Sequence, residues 1–471
     1  MSMRDPLKAS VFNSCIRSDH VTGAECWLGH LLGPFAVMLM NSILSNYLNV
    51  YYTDVMNIGH IWGGVFLSLF PLVVKALDAI TFVLMGMIVD RWQSVQGKAR
   101  PWILFSAPLL SLSMTLLFVV PTNADWLTAL WIFISYNLFY SVAYTAYSTC
   151  HTLMVPLATS DMQERSKLSI NASMQGMLSG MLVAVIFPTK VIPAIGTDRH
   201  AWMTIMTTVA IAALPFILME YWFTRERVTE KGDTGKPAPH EAMSLKAQAR
   251  LCVKSRTWCI FFGYLALSHL VQTLFSAGTF YYCNWVLGSY NDGITQMLFY
   301  AIGNGLLGPA LFIVRPLCKR LGLRNALIGG FLISALGSLI CWLHPQSLSV
   351  VLAGQVVRSI GMIPATFMGN VLLGDALDDV ERVTGRRCDG FTSSLYNVLL
   401  TLSTGLAMFI LNTGLSVFHY ISPAGLAEIP AQGEAVKSFI TFCVLGLPTI
   451  VYPLIAFVFH FQRSVHAKET H

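Results

Sequence analysis

Charge is what this sequence has least of. Of its 471 residues only 11% are Asp, Glu, Lys or Arg, less than half of the roughly 25% that a soluble domain carries. Water is therefore excluded as the solvent of most of the chain, and a pair of soluble domains on an anchor is excluded with it. The ten cysteines include no C-x-x-C pair. Most of them sit in apolar runs, where a thiol acts as a small hydrophobe, so neither a disulfide framework nor a metal site is expected. The chain lacks a phosphate-cradling Gly-Lys-Ser/Thr loop, which removes ATP as a driving force. It also lacks zinc spacing and nucleophile motifs, so the reading is not an enzyme, and no cofactor is expected beyond a coupling Na+ or H+. The first 23 residues carry Arg4, Lys8, Arg17 and Asp19 without an apolar stretch or cleavage site. No cleaved leader is expected there, and the first helix itself directs insertion.

Apolar residues are what the chain has in quantity, at 55% of the total, with 28 Phe, 21 Met and 11 Trp. A helix needs about 20 apolar residues to cross the ~30 Å hydrocarbon core. Twelve runs meet that length: 24–52, 61–90, 101–120, 126–154, 168–189, 200–222, 257–287, 293–317, 325–343, 348–373, 389–417 and 434–460. Helices satisfy their own backbone groups in lipid, so the predicted fold is an all-α membrane protein of twelve transmembrane helices. Placing the N-terminus in the cytoplasm puts 25 of the 30 Lys and Arg in inward segments and only Lys190 and Arg199 in outward ones. That bias predicts cytoplasmic N- and C-termini, and it explains the net charge of +6 without nucleic acid. The longest polar stretch divides the chain into an N-terminal six-helix bundle (1–222), a cytoplasmic linker (223–256) and a C-terminal six-helix bundle (257–471). Two such pseudo-symmetric bundles are the size expected of a secondary transporter.

Charged motifs punctuate the inward loops. Between the second and third runs stand Asp90-Arg91 and Gly97-Lys98-Ala99-Arg100-Pro101-Trp102. Asp90 ends a helix, Gly97 permits a tight turn and Pro101 suits a first helical turn. Such charges either act as latches that break in one conformation or simply cap helices. After the tenth run, Asp375, Asp378 and Glu381 recur at three-residue spacing and share one helix face, with Arg386-Arg387 following. This is either a cytoplasmic charge network or a solvated acidic face.

Together with Tyr51-Tyr52-Thr53-Asp54-Val55, Asp78-Ala79-Ile80, Glu164-Arg165 with Leu168, and the Gly385-x-Arg387-x-Asp389-Gly390 run, these loops carry a resemblance that covers nearly the whole chain in order. The chain resembles the glycoside–pentoside–hexuronide:cation symporter family (melibiose-permease-like) of the major facilitator superfamily. The resemblance implies the major facilitator fold and alternating access, with two halves rocking about a midplane site. It implies transport of a sugar, glycoside or related polar solute, usually coupled to sodium or protons. A cell (inner) membrane location and a monomeric state are expected by the same analogy. Asp90, Arg91, Arg100, Glu164, Arg165, Asp375, Asp378, Glu381 and Arg387 are the candidate cytoplasmic gating residues.

Charges within the hydrocarbon are rare and usually functional. Lys75 and Asp78, one turn apart in the second run, are the candidate coupling or gating pair, with Thr81 beside them. The resemblance implies a cation site at Asp78; the alternative is a structural ion pair with Lys75. The family's second acid is replaced by Phe82, and its charged sugar clamp aligns with Ser148, Ser173 and Thr401. Coupling to sodium and a simple galactoside substrate are both weakened by these departures. The remaining candidates for the solute cavity are His151, Thr152, Arg358 and Asn397. Arg358 can bind an anionic group bidentately or pair within the bundle with Glu25 or Asp78. His151 is a candidate to bind substrate or shuttle protons, since an imidazole in general titrates near neutral pH; the alternative is a satisfied packing residue. The alternatives left open are a uniporter, an organic-anion transporter of the same fold using Arg358, and a non-transporting membrane sensor.

Overall fold

The computed structural model describes residues 12–91, 94, 96–159, 161–230, 245–288, 292–305, 320–385, 389–423 and 429–460. Among these residues the regular structure is helical, apart from one bridge between Ser94 and Gly97. Eleven helices are long and apolar enough to cross a membrane. They are α1 (Glu25–Val55), α2 (Ile58–Val89), α3 (Arg100–Phe118), α4 (Asp125–Ala158), α5 (Lys167–Ile195), α6 (Arg199–Trp222), α7 (Arg256–Leu287), α9 (Leu323–Leu343), α10 (Leu348–Gly369), α11 (Leu395–Val417) and α12 (Glu434–His460). The expected run 293–317 is described as the shorter helix α8 (Gly293–Gly305), and 306–319 lie outside the described residues. As helix, α10 continues to Thr384 and α11 begins at Asp389.

Local chemistry sets the helix ends. Pro101 occupies the first turn of α3, where a missing N–H costs nothing. Asp198 accepts from the His200 amide at 2.9 Å to open α6, and Ser255 accepts from the Trp258 amide at 3.1 Å to open α7. Gly385 closes α10 at φ +68°, a left-handed conformation that glycine adopts freely.

The chain forms two compact units. The first comprises Met1–Phe66, Val73–Val183 and Thr197–Pro239. Its centre is α3, whose Ile103, Ala107, Leu110, Met114 and Leu117 follow helical spacing and are fully buried. They pack against α6, which presents Trp202, Met206, Ala210 and Ile217. The second unit comprises Leu67–Leu72, Ala184–Gly196 and His240–His471. There α9 and α10 touch backbone to backbone, because a Cβ on Gly337 would run into the backbone of Gly354 and Arg358. Outward faces stay apolar, as with Ile80, Val83, Leu84 and Met87 on α2. In water such a surface would aggregate, and in a bilayer it faces lipid.

Candidate functional site

Asp78 lies almost fully buried on α2 and is held from two sides. Lys75 Nζ donates to one carboxylate oxygen at 2.8 Å, and Ser141 Oγ from α4 donates to the other at 2.5 Å. The ammonium also sits 4.1 Å from the Tyr140 ring centre and 5.3 Å from that of Tyr136, an arrangement that lowers the cost of a buried cation. The Thr81 hydroxyl donates to the Asp78 backbone carbonyl at 3.0 Å rather than joining the carboxylate. The helical spacing that puts Lys75 next to Asp78 was visible in the sequence; Ser141, 63 residues away, was not.

In the second unit a cavity of about 400 Å³ is lined by Arg358, Gln355, His269, Gln272, Tyr396 and Ser268, among others. Arg358 is buried, and Ser334 Oγ donates to its carbonyl at 3.1 Å, fixing α10 against α9 at this level. Its Nε donates to Gln355 Oε1 at 3.0 Å, and the guanidinium lies 3.5 Å from the Phe275 ring centre. Among the described residues no carboxylate pairs with it. Its Nη1, Gln355 Nε2 and His269 Nδ1 are buried and have no hydrogen-bond partner. The carboxylates that the sequence offered as partners are engaged elsewhere: Glu25 binds Arg227, and Asp78 binds Lys75 and Ser141. Asn397 and Thr401 do not line this cavity; their helix turns Tyr396 and Leu400 toward it. Asn397 is exposed, and the Thr401 hydroxyl donates to the Asn397 carbonyl at 2.9 Å.

On α4, His151 is buried 2.7 Å from Glu220 of α6. Thr152 is exposed and donates to the Ser148 carbonyl at 2.9 Å, leaving Ser148 half-buried beside it. Ser173 belongs to the helix containing α5, but its side chain lies outside the described residues. Asp90 and Arg91 end the α2 helix; their side chains, and Arg387 entirely, are likewise outside the described residues.

Among the described gating candidates, Arg165 bonds within its own segment, while Arg100 and Glu164 also reach residues distant in the chain. Arg100 is buried, donating to Gln96 Oε1 at 2.9 Å and to the Tyr221 carbonyl at 3.1 and 3.3 Å. Glu164 accepts from the Thr159 hydroxyl at 2.8 Å and the Val21 amide at 3.3 Å, and sits 3.3 Å from His20 Nδ1. The Thr159 bond in particular holds its carboxyl below the usual range. Arg165 closes the end of α4 by donating to the Thr159 and Pro156 carbonyls. On α10, Asp375 and Asp378 are half-buried and Glu381 is exposed, while Asp379 between them is buried.

Comparison with known proteins then fixes the family. The family described as MFS/sugar transport protein matches residues 29–463. The chain belongs to it. Among its relatives, the isoprimeverose transporter of Lactiplantibacillus pentosus is 27% identical over 439 residues, 92% of this chain and 87% of that one. The protein named as a putative sulfoquinovose importer of Escherichia coli (strain K12) is 25% identical, covering 88% and 86%. A bacterial homolog to the human lysosomal transporter Spinster, solved inward-facing and unoccupied, shares the fold with TM-score 0.64 at 15% identity, covering 94% and 97%. This MFS/sugar transport protein is thus a multi-pass membrane transporter and not an enzyme, in line with the family resemblance of its motifs.

Several residues that organise this transporter escape sequence reasoning. Glu226 is buried and accepts from three successive amides, those of Lys98, Ala99 and Arg100, each at 2.8 Å. Arg227 grips Glu25 with both ends of its fork, at 3.0 and 2.7 Å. Asp379 accepts from Ser255 Oγ at 2.6 Å and from Arg382. Only Asp379 had a local signal, since it falls in helical register with buried Leu372, Ala376 and Val380.

Proposed function

We propose that this protein moves a sugar or glycoside bearing an acidic group across the inner membrane by alternating access, with Arg358 as the anchor of the acid. The observation that carries this reading is the unpaired guanidinium at the cavity wall. Arg358 stands ten residues into α10 from Leu348, about 15 Å at helical rise and so near the middle of a ~30 Å core. A guanidinium stays charged, and a buried charge without a counter-ion is strongly unfavourable. Gln355 and His269 line the same cavity, and Arg358 Nη1, Gln355 Nε2 and His269 Nδ1 are buried nitrogens without a hydrogen-bond partner. A carboxylate or sulfonate beside the guanidinium supplies the missing counter-charge, and the rest of a sugar packs on the aromatic lining, including Tyr264 and Tyr396. A relative named for sulfoquinovose, a sulfonated sugar, supports the same class.

The remaining parts of the proposal concern orientation, coupling and state. Both termini face the cytoplasm, supported by 25 of 30 basic residues falling on that side. Lys75 stands where a metal cation would sit beside Asp78, so transport runs without sodium. The protein works as a monomer.

The test is uptake into proteoliposomes of labelled glucuronate, methyl glucuronide and a sulfonated sugar, against neutral methyl glycosides. Acidic sugars are expected to enter, and Arg358→Gln to weaken their apparent affinity about 10- to 100-fold, the cost of a charged hydrogen bond. Uptake restricted to neutral glycosides, or unchanged by Arg358→Gln, rejects the proposal.

A further inference from the structure

The first unit holds a buried acid–base cluster that solute binding at Arg358 leaves unused. Glu220, two residues before the end of α6 at Trp222, is fully buried. It accepts from the Tyr147 hydroxyl, and its other oxygen lies 2.7 Å from His151 Nδ1. The His151 ring stacks on Tyr147 with centres 5.6 Å apart and planes within 6°. On its far side, His151 Nε2 lies 2.8 Å from Gln175 Nε2. Three helices, α4, α5 and α6, therefore converge on one imidazole. Among the described residues Glu220 has no lysine or arginine partner.

Of the surrounding titratable groups, the charged ones are committed elsewhere and His30 is not. From α1, Glu25 is bound to Arg227, while His30 is fully buried with neither ring nitrogen partnered. From α3, Arg100 is held on the Tyr221 carbonyl and Gln96. Following α6, Glu226 is spent on three amides. On α4 itself the titratable neighbours are Tyr144 and Cys150, both near the cluster.

Counting charge gives the cluster two states. With a neutral ring, Nδ1–H donates to an ionised Glu220, and the buried pair carries one net negative charge. One added proton makes an imidazolium–carboxylate pair with no net charge. Gln175 can serve both. As placed, its amide N–H donates to the unprotonated Nε2, and its own Oε1 is buried without a partner. Turned over, that oxygen accepts from a protonated Nε2, so the change costs no hydrogen bond.

We propose that His151, Glu220 and Gln175 form the proton-binding site that couples transport to a proton gradient, in place of an acid pair on α2. In the step, a hydronium ion gives its proton to the Nε2 lone pair and leaves as water, and Nδ1–H stays on Glu220. The Gln175 N–H···Nε2 hydrogen bond is exchanged for Nε2–H···Oε1, no covalent bond in the protein breaks, and release is the reverse. His151 lies seven residues from the end of α4 at Ala158, about 10 Å by helical rise. Its side chain is 8% exposed and lies beside exposed Thr152.

The inference rests on the transport reading, so its test has two arms. In the first, purified full-length protein labelled with 15N-histidine is titrated in micelles without any solute. Among the histidine signals that respond to pH, one is expected to be missing from His151→Asn, which keeps an N–H toward Glu220 but cannot titrate. In the second arm, labelled glucuronate accumulation is driven by an imposed proton gradient. Glu220→Gln and His151→Asn should each lose at least about tenfold in accumulation yet keep solute counterflow, and Asp78→Asn should keep its response to pH. Retained proton-driven accumulation in His151→Asn overturns the proposal, as does a His151 signal that does not titrate. If glucuronate is simply not a substrate, the first arm still decides, and only the solute class has failed.

Discussion

Glu226 shows what a single side chain can hold together. The first amides of a helix have no partner within it, and those at the start of α3 are buried, out of reach of water. One carboxylate satisfies those of Ala99 and Arg100, and that of Lys98 just before them, with its charge at the positive end of the helix dipole. Gly97 has to be glycine for the same reason: its φ is +106°, and a Cβ there would collide with the Glu226 carboxylate. Glu226→Gln keeps the shape but loses the charge and one acceptor, and is expected to cost about 2 kcal/mol. A thermal midpoint in detergent equal to that of the parent would remove Glu226 from this role. Asp379 makes the pH-dependent counterpart. Burial raises its carboxyl, but the bonds from Ser255 and Arg382 outweigh that and hold it below its ordinary value. A depressed acid contributes stability above its unfolded value, near 4, and loses it as pH falls through the folded value. Between pH 5 and pH 3, both set by that reference value, the parent's midpoint should therefore fall more steeply than that of Asp379→Asn. Parallel curves would show that Asp379 contributes nothing.

Among the elements, α2 departs most from its family pattern and reads most plainly. Lys75 and Asp78 share a face by helical spacing, and the bond between them follows at 2.8 Å. An ammonium in that position neutralises the carboxylate permanently, where a metal ion would come and go. Lys75→Gln leaves Asp78 held by Ser141 alone and open to a small cation. That variant should gain a rise in thermal midpoint in sodium chloride over choline chloride that the parent lacks; an identical salt response in both would sink the substitution argument. What the sequence could not supply for α2 is Ser141, because a contact between helices leaves no periodic trace in either one. The same holds for α10. Its midplane Arg358 was legible as an anomaly, but the two partners offered for it were wrong, since Glu25 is taken by the distant Arg227 and Asp78 by its neighbour Lys75 and by Ser141. On α11 the polar pair Asn397 and Thr401 looked suited to a solute, yet the register turns Tyr396 and Leu400 to the cavity instead.

For the whole molecule, apolar length and basic-loop bias outlined nearly every helix. The expected run 200–222 is found as Arg199–Trp222, and 325–343 as Leu323–Leu343. These agree because the bilayer itself dictates the length of a crossing. The pairings that close each unit were not legible, for the opposite reason: they depend on tertiary geometry alone. Glu25 and Arg227 are 202 residues apart, and nothing near either one announces the other. Their pairing also bears on how the chain is made. Glu25 opens α1, and it waits through the synthesis of six helices, α1 to α6, for its counter-charge. Until Arg227 is synthesised, the first unit exists with an uncompensated acid at its base, so its assembly cannot be finished at Trp222, where the last of those helices ends. The opening residues of the linker therefore belong to the folding unit that precedes them.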